Sequence, residues 1–127
     1  MSSTPTWMTW TGRVMTALPA LALLPSAAMK LTQNPQAVEG FAKLGFPEGV
    51  LMPIGVAELL STVLYFIPQT SVLGAILLSG YLGGAICTHV NAGEGFAAPL
   101  IVAVLAWGGL WMRDERIRAL IPLRRSA

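Results

Sequence analysis

Charge is what this sequence has least of. Eight Lys and Arg and six Asp and Glu make up 11% of its 127 residues, against about 25% in an average soluble domain. So few charged side chains cannot cover a water-facing surface. Cysteine is as scarce. Cys87 stands alone, which excludes an intrachain disulfide and a CxxC pair. A redox role for it would need a partner thiol, and a lone buried cysteine ordinarily behaves as a small hydrophobe. His89 is the one histidine, and one His, one Cys and scattered acids do not make a haem or zinc ligand set. No Ser–His–Asp arrangement and no paired carboxylates are visible. The chain therefore reads as a non-enzyme more readily than as an enzyme, with no metal expected.

What is there is apolar: 54% hydrophobic residues and a mean hydropathy of +0.65. This is the composition of an integral membrane protein, with lipid as the solvent for most of its surface. The net charge of +2 does not point to nucleic acid. Five of the eight basic residues fall in Arg113–Arg125, after the last apolar run, where they suit anionic headgroups.

The chain divides into four apolar stretches, predicting an all-α, single-domain, four-helix up-down bundle with spans at about 14–30, 49–67, 71–90 and 96–112. Residues 1–9 read as polar, disordered or interfacial. The first stretch, between Arg13 and Lys30, contains Pro19 and Pro25, and both flanking cations are placed to snorkel outward. A cleavable signal peptide ending at Ala28 is a rival reading of this segment. Asn34-Pro35 and Phe46-Pro47 punctuate a polar connection in which 36–44 suits a short interfacial helix, with Val38, Phe41 and Ala42 on one face. Pro68-Gln69-Thr70 is a tight turn, with Thr70 or Ser71 available to cap the third span. Residues 91–95 form a loop. The tail, 113–127, is basic, with Ile117, Leu120 and Ile121 at helical spacing on the surface. Six arginines fall on one side in this topology, so the positive-inside rule puts both termini in the cytoplasm.

From Gly49 to Gly93 the one formal charge is Glu58, about 12 Å from either end of its span at 1.5 Å per residue. An ionisable group at that depth is a functional-site candidate by default. Desolvation favours its neutral form unless a cation is close. Ser61, Thr62 and Tyr65 share its face at spacings of three, four and seven, and Tyr81 lies at matching depth on the third span. His89 and Lys30, with Glu48 and Glu94, fall at the outer face, where they suit the mouth of a polar pocket. Gly80, Gly83 and Gly84 belong to two adjacent stripes of small residues, which suit close helix packing within the chain or between copies. These glycines lie inside a span and follow no strand, so they are no nucleotide fingerprint.

Two runs, KLGFPEGVLMPIGVAELLSTVLYFIPQTSVLGAILLSGYLGGAICTHVNAG and WGGLWMRDERIRALIP, resemble the DoxX-like family of small bacterial membrane proteins. The segment Gly55-Val56-Ala57-Glu58-Leu59 and the Gly80–Gly84 run carry most of the likeness, which covers roughly 13–122. The resemblance implies four transmembrane helices in a bacterial inner membrane. Some relatives are named as subunits of, or partners to, quinone-linked oxidoreductases. It supplies no catalytic residues to carry over. The expectation is an accessory subunit of a membrane redox system, with a polar pocket at Glu58 open to a quinone or a lipid. The alternative is a small-molecule or proton-coupled carrier, and a homo-oligomer is compatible with either.

Overall fold

The computed structural model describes residues 4–125. The described residues are helical, with no strand among them. Helix α1 spans Thr6–Leu31, α2 Pro35–Lys43, α3 Leu51–Phe66, α4 Ser71–Asn91, α5 Ala97–Arg113 and α6 Glu115–Leu120. A single 3-10 turn, Pro68–Thr70, joins α3 to α4.

Helix α1 begins at Thr6, eight residues before the expected span. The polar lead is therefore a helix from Thr6 onward, while residues 1–3 of that expectation lie outside the described residues. The helix continues through Pro19 and Pro25. It ends where Gln33 turns left-handed at φ 58°. Asn34 then starts α2: its Oδ1 accepts from the Gln36 N–H at 2.9 Å, with Pro35 at the first helical position.

At the α3–α4 turn the structure corrects the capping expectation. Neither Thr70 nor Ser71 caps α4. Their hydroxyls donate backward instead, Thr70 to the Leu64 carbonyl at 2.7 Å and Ser71 to the Ile67 carbonyl at 3.0 Å. The turn is so short that the unsatisfied carbonyls ending α3 lie within reach of the hydroxyls starting α4.

The long helices close a ring. Helix α1 packs on α3 and α5, and α4 packs on the same two. Neighbours run antiparallel. Thr16 near the start of α1 meets Tyr65 near the end of α3, while Lys30 near its end meets Glu58. Leu23, Tyr65, Ala75, Leu78, Leu82, Ala106 and Leu110 form the core between them. The exterior is apolar too, with Leu21 73% and Ile76 55% exposed, as at a surface that contacts a membrane or another protein. Helix α1, and α4 together with the turn before it, are long and apolar enough to cross a membrane. Helices α3 and α5 are apolar but have 16 and 17 residues, about 24–26 Å at 1.5 Å per residue, somewhat short of a hydrocarbon core of about 30 Å.

The glycines that bring backbones together are not the expected ones. Nothing lies within 4 Å of a Cβ built on Gly80, Gly83 or Gly84. The buried face of α4 is Ser71, Gly74, Ala75, Leu78 and Leu82, and this turns Gly80, Gly83 and Gly84 away from α3. Close approach occurs at Gly74 against the Tyr65 backbone, and at Gly12 against Gly109.

The tail packs back at one residue and is exposed beyond it, with Leu120 and Ile121 on the surface. Ile117 is buried, and Arg118 Nη1 donates to the Trp111 and Met112 carbonyls at 2.8 and 3.0 Å, satisfying the end of α5. Asp114 caps α6, accepting from the Arg116 N–H at 2.9 Å and pairing with its guanidinium at 2.9 Å. Hydrogen bonding from Arg116 holds the Asp114 carboxyl below its ordinary pKa. The depressed value means the cap stabilises fully above the ordinary carboxylate range, and this is lost as pH falls through the folded value. Asp114→Ala should cost about 1 kcal/mol. Thermal unfolding in neutral detergent should show that deficit at pH 7, and the gap between variant and wild type should narrow on acidification.

Candidate functional site

The site is built where the last turn of α1 approaches the first turns of α3. A Cβ at Gly55 would fall 2.9 Å from the Lys30 Cβ, so the absence of a side chain there lets the last turn of α1 lie against α3. Glu58, one turn further along α3, then comes into reach of Lys30. The Lys30 Nζ donates to Glu58 Oε1 at 3.0 Å and to Ser26 Oγ at 2.6 Å. The side chains are 11% and 2% exposed. The Phe41 ring of α2 lies 5.7 Å from the same ammonium, within cation–π range.

This corrects two expectations. Glu58 is not an isolated charge, and Lys30 does not snorkel to the mouth. Desolvating either ion alone costs several kcal/mol, and their mutual attraction offsets much of it only at contact distance. Lys30 therefore turns inward. Ser26 and Phe41 were missed as partners. Ser26 was legible, since it lies four residues before Lys30 on one helix face. Phe41 was not, because its contact depends on how α2 folds back.

Beside the pair lies a cavity of about 530 Å³, within the size range of small-molecule sites. Its walls are mostly apolar. Helix α1 contributes Ala22, Leu23 and Ser26, α2 and its exit Phe41, Leu44 and Phe46, and α3 Ile54. Helix α5 contributes Ala98, Pro99 and Val102. Helix α4 supplies Leu82, Ala85 and the bare backbone of Gly80 and Gly84. The polar groups are few: Lys30, Glu58, Tyr81, Thr88 and His89, besides Ser26.

Tyr81 faces Glu58 there, its hydroxyl within electrostatic reach of the carboxylate. His89 Nδ1 lies 2.6 Å from the Ala85 carbonyl. A carbonyl only accepts, so Nδ1 carries the hydrogen, and Nε2 of the neutral ring is an acceptor. The structure thus gathers Lys30, Glu58, Tyr81 and His89 around one space.

It does not bring Ser61, Thr62 or Tyr65 there. Ser61 donates to the Ala57 carbonyl and Thr62 to the Glu58 carbonyl, both at 2.7 Å. Tyr65 is a core residue whose hydroxyl donates to the Ala106 carbonyl at 2.6 Å and lies 3.3 Å from Thr16 Oγ1. Glu48 and Glu94 do not line the cavity either; Glu48 borders a separate one with Phe46 and Gly49. Cys87 is exposed and lies outside the lining. Among the described residues, no three of His, Cys, Asp and Glu are gathered as a metal site would require.

The arrangement offers one fixed cation, one fixed anion, a phenol and an imidazole at the edge of an apolar space. That chemistry suits binding and orienting a molecule with an apolar body and a hydrogen-bonding head. Comparison with known proteins adds one finding: residues 14–109 match the family model of the DoxX-like family. No curated protein and no solved structure matches the chain.

Proposed function

The chain belongs to the DoxX-like family of membrane proteins, and from that premise we propose that its cavity holds an amphipathic small molecule of the quinone or lipid class, as part of an accessory subunit of a membrane redox system. In this reading α1, α3, α4 and α5 form an antiparallel four-helix bundle that crosses a bacterial inner membrane, with both termini cytoplasmic. The six arginines at one end support that orientation. The short helices α3 and α5 are accommodated by local thinning of the bilayer and by flanking polar residues.

The observation that carries the reading is the cavity of about 530 Å³, apolar along most of its walls and bordered by the Lys30–Glu58 pair. Lys30 spends two of its three N–H donors on Glu58 and Ser26 and has one left for a carbonyl or phosphate oxygen, while the Tyr81 hydroxyl oxygen and His89 Nε2 accept from a hydroxyl. The bare backbone at Gly80 and Gly84 leaves room for the ligand body. Redox chemistry would belong to the bound molecule and to the partner subunit, and this chain's residues orient and shelter the head.

Gly84→Leu tests this. The new side chain meets nothing else in the protein within 4 Å of its Cβ and projects from a residue lining the cavity. Binding of a short-chain quinone, followed by titration in neutral detergent, should weaken at least tenfold while thermal stability stays near wild type. If wild type copurifies with neither quinone nor lipid and binds none on addition, or Gly84→Leu binds equally well, the reading fails.

A second reading, a small-molecule or proton-coupled carrier, draws on the pair lying beside ligand-sized space rather than in solid packing. It requires Glu58→Gln to change pH-dependent uptake in proteoliposomes. Unchanged uptake would leave the accessory reading alone.

A further inference from the structure

A second cleft lies at the opposite end of the helices. It has a volume of about 230 Å³ and is lined by Arg13, Thr16 and Ala17 of α1, Phe66 of α3 and Arg113 of α5. Two guanidinium groups from different helices thus border one small space. Arg113 is positioned by its neighbour: its Nε donates to Thr16 Oγ1 at 3.2 Å. Arg13 lies over the Trp10 ring, 4.9 Å from its centroid. Stacking uses the face of a guanidinium and leaves the N–H groups along its edge available to an anion.

Neither arginine belongs to any of the ion pairs within 4.0 Å among the described residues. Asp114, next in sequence to Arg113, is engaged through both carboxylate oxygens by Arg116 while also sensing the charge of Arg113. Two guanidiniums in one cleft repel each other, and a bound anion relieves this. Planar forks of N–H donors match phosphate oxygens in particular.

The remaining walls indicate what the phosphate is attached to. Ala17 and Phe66 are apolar, and the surface beside them is exposed and apolar, Val14 and Leu18 on α1 and Val63 on α3. In the membrane-spanning arrangement proposed above, on which this inference rests, Trp10 falls at the level where tryptophan meets headgroups. The geometry points to a binding site for the phosphate of an anionic phospholipid headgroup, held between Arg13 and Arg113, with an acyl chain running over Ala17 and Phe66. A free phosphate would use the two arginines but gain nothing from those walls. The site lies at the Arg-rich end, where anionic lipid is attracted to basic residues.

The test uses the full chain in neutral detergent, with phosphatidylglycerol, phosphatidylcholine and inorganic phosphate titrated separately and binding read by native mass spectrometry. Phosphatidylglycerol should bind saturably, and phosphatidylcholine at least tenfold more weakly. Each arginine near an anionic lipid is worth about a factor of five. Arg13→Gln should therefore weaken phosphatidylglycerol about fivefold, and the double variant R13Q/R113Q about 25-fold. Arg113 also holds Thr16, so Arg113→Lys is the companion variant: it keeps the charge, loses the fork, and should show an intermediate loss in a folded protein. Equal binding of the two lipids, or wild-type affinity in Arg13→Gln, overturns the site. If inorganic phosphate displaces phosphatidylglycerol at equal concentration, the apolar walls contribute nothing and the lipid assignment falls.

Discussion

Lys30→Met is expected to destabilise the protein by about 3–5 kcal/mol, the cost of leaving one member of a buried ion pair without its partner. Methionine nearly matches the lysine stem in volume, so packing against Gly55 and Phe41 is largely retained and the change is chiefly electrostatic. What remains is the Glu58 side chain, 2% exposed, with its cation gone. Glu58→Met should cost a similar amount, because it strands the ammonium at Lys30, which keeps Ser26 as a hydrogen-bond partner. The double variant K30M/E58M should recover most of the loss, since a buried pair contributes little net stability relative to apolar residues of the same size. Thermal unfolding of all four proteins in the same detergent closes the cycle. Additive losses would show that the two side chains do not interact. A recovered double variant that no longer binds the cavity ligand would assign the pair to recognition rather than to stability.

Gly74→Ala should be the most damaging single methyl in the protein. A Cβ there falls onto the backbone N and Cα of Tyr65 and the carbonyl carbon of Leu64, inside any tolerable contact. Backbone cannot swing aside as a side-chain tip can, so α4 must move away from α3. Overpacking of this kind costs 1–3 kcal/mol and sometimes more. The upper end is expected here, because displacement also disturbs Tyr65, which is fully buried and bonded to the Ala106 carbonyl. Gly83→Ala is the control on the same helix. Nothing lies within 4 Å of its Cβ, and alanine is favoured over glycine in a helix by about 1 kcal/mol. The pair should differ in melting temperature with opposite signs relative to wild type. Equal behaviour would mean that α3 and α4 do not approach each other at Gly74.

These two experiments mark the line between what spacing along the chain can and cannot establish. The small-residue stripes on α4 were legible, and so was their suitability for close packing. Which part of them meets a neighbour was not. Gly80, Gly83 and Gly84 meet no neighbour at Cβ distance, whereas Gly74, outside those stripes, lies against the backbone of Tyr65. The same holds on α3. Periodicity grouped Glu58, Ser61, Thr62 and Tyr65 on one face correctly, and all four are buried. Glu58 borders the cavity, whereas Tyr65, two turns further on, reaches the core and the α5 backbone. A helical face extends the length of its helix, and different neighbours cover its two ends.

By itself the sequence determined the helical character, the breaks at Asn34-Pro35, at 68–70 and at 91–95, the membrane family, and Glu58 as a charge held in apolar surroundings. These follow from composition and local pattern, which act over a few residues. Only the tertiary structure decided that Lys30 is its partner, that Tyr81 and His89 border the same cavity, that Ser61 and Thr62 serve their own helix, and that Arg13 and Arg113 share a cleft. Those facts depend on the rotation of each helix about its axis relative to helices far away in sequence. That rotation is set by the sum of many side-chain contacts across the ring, and no short stretch of the chain contains it.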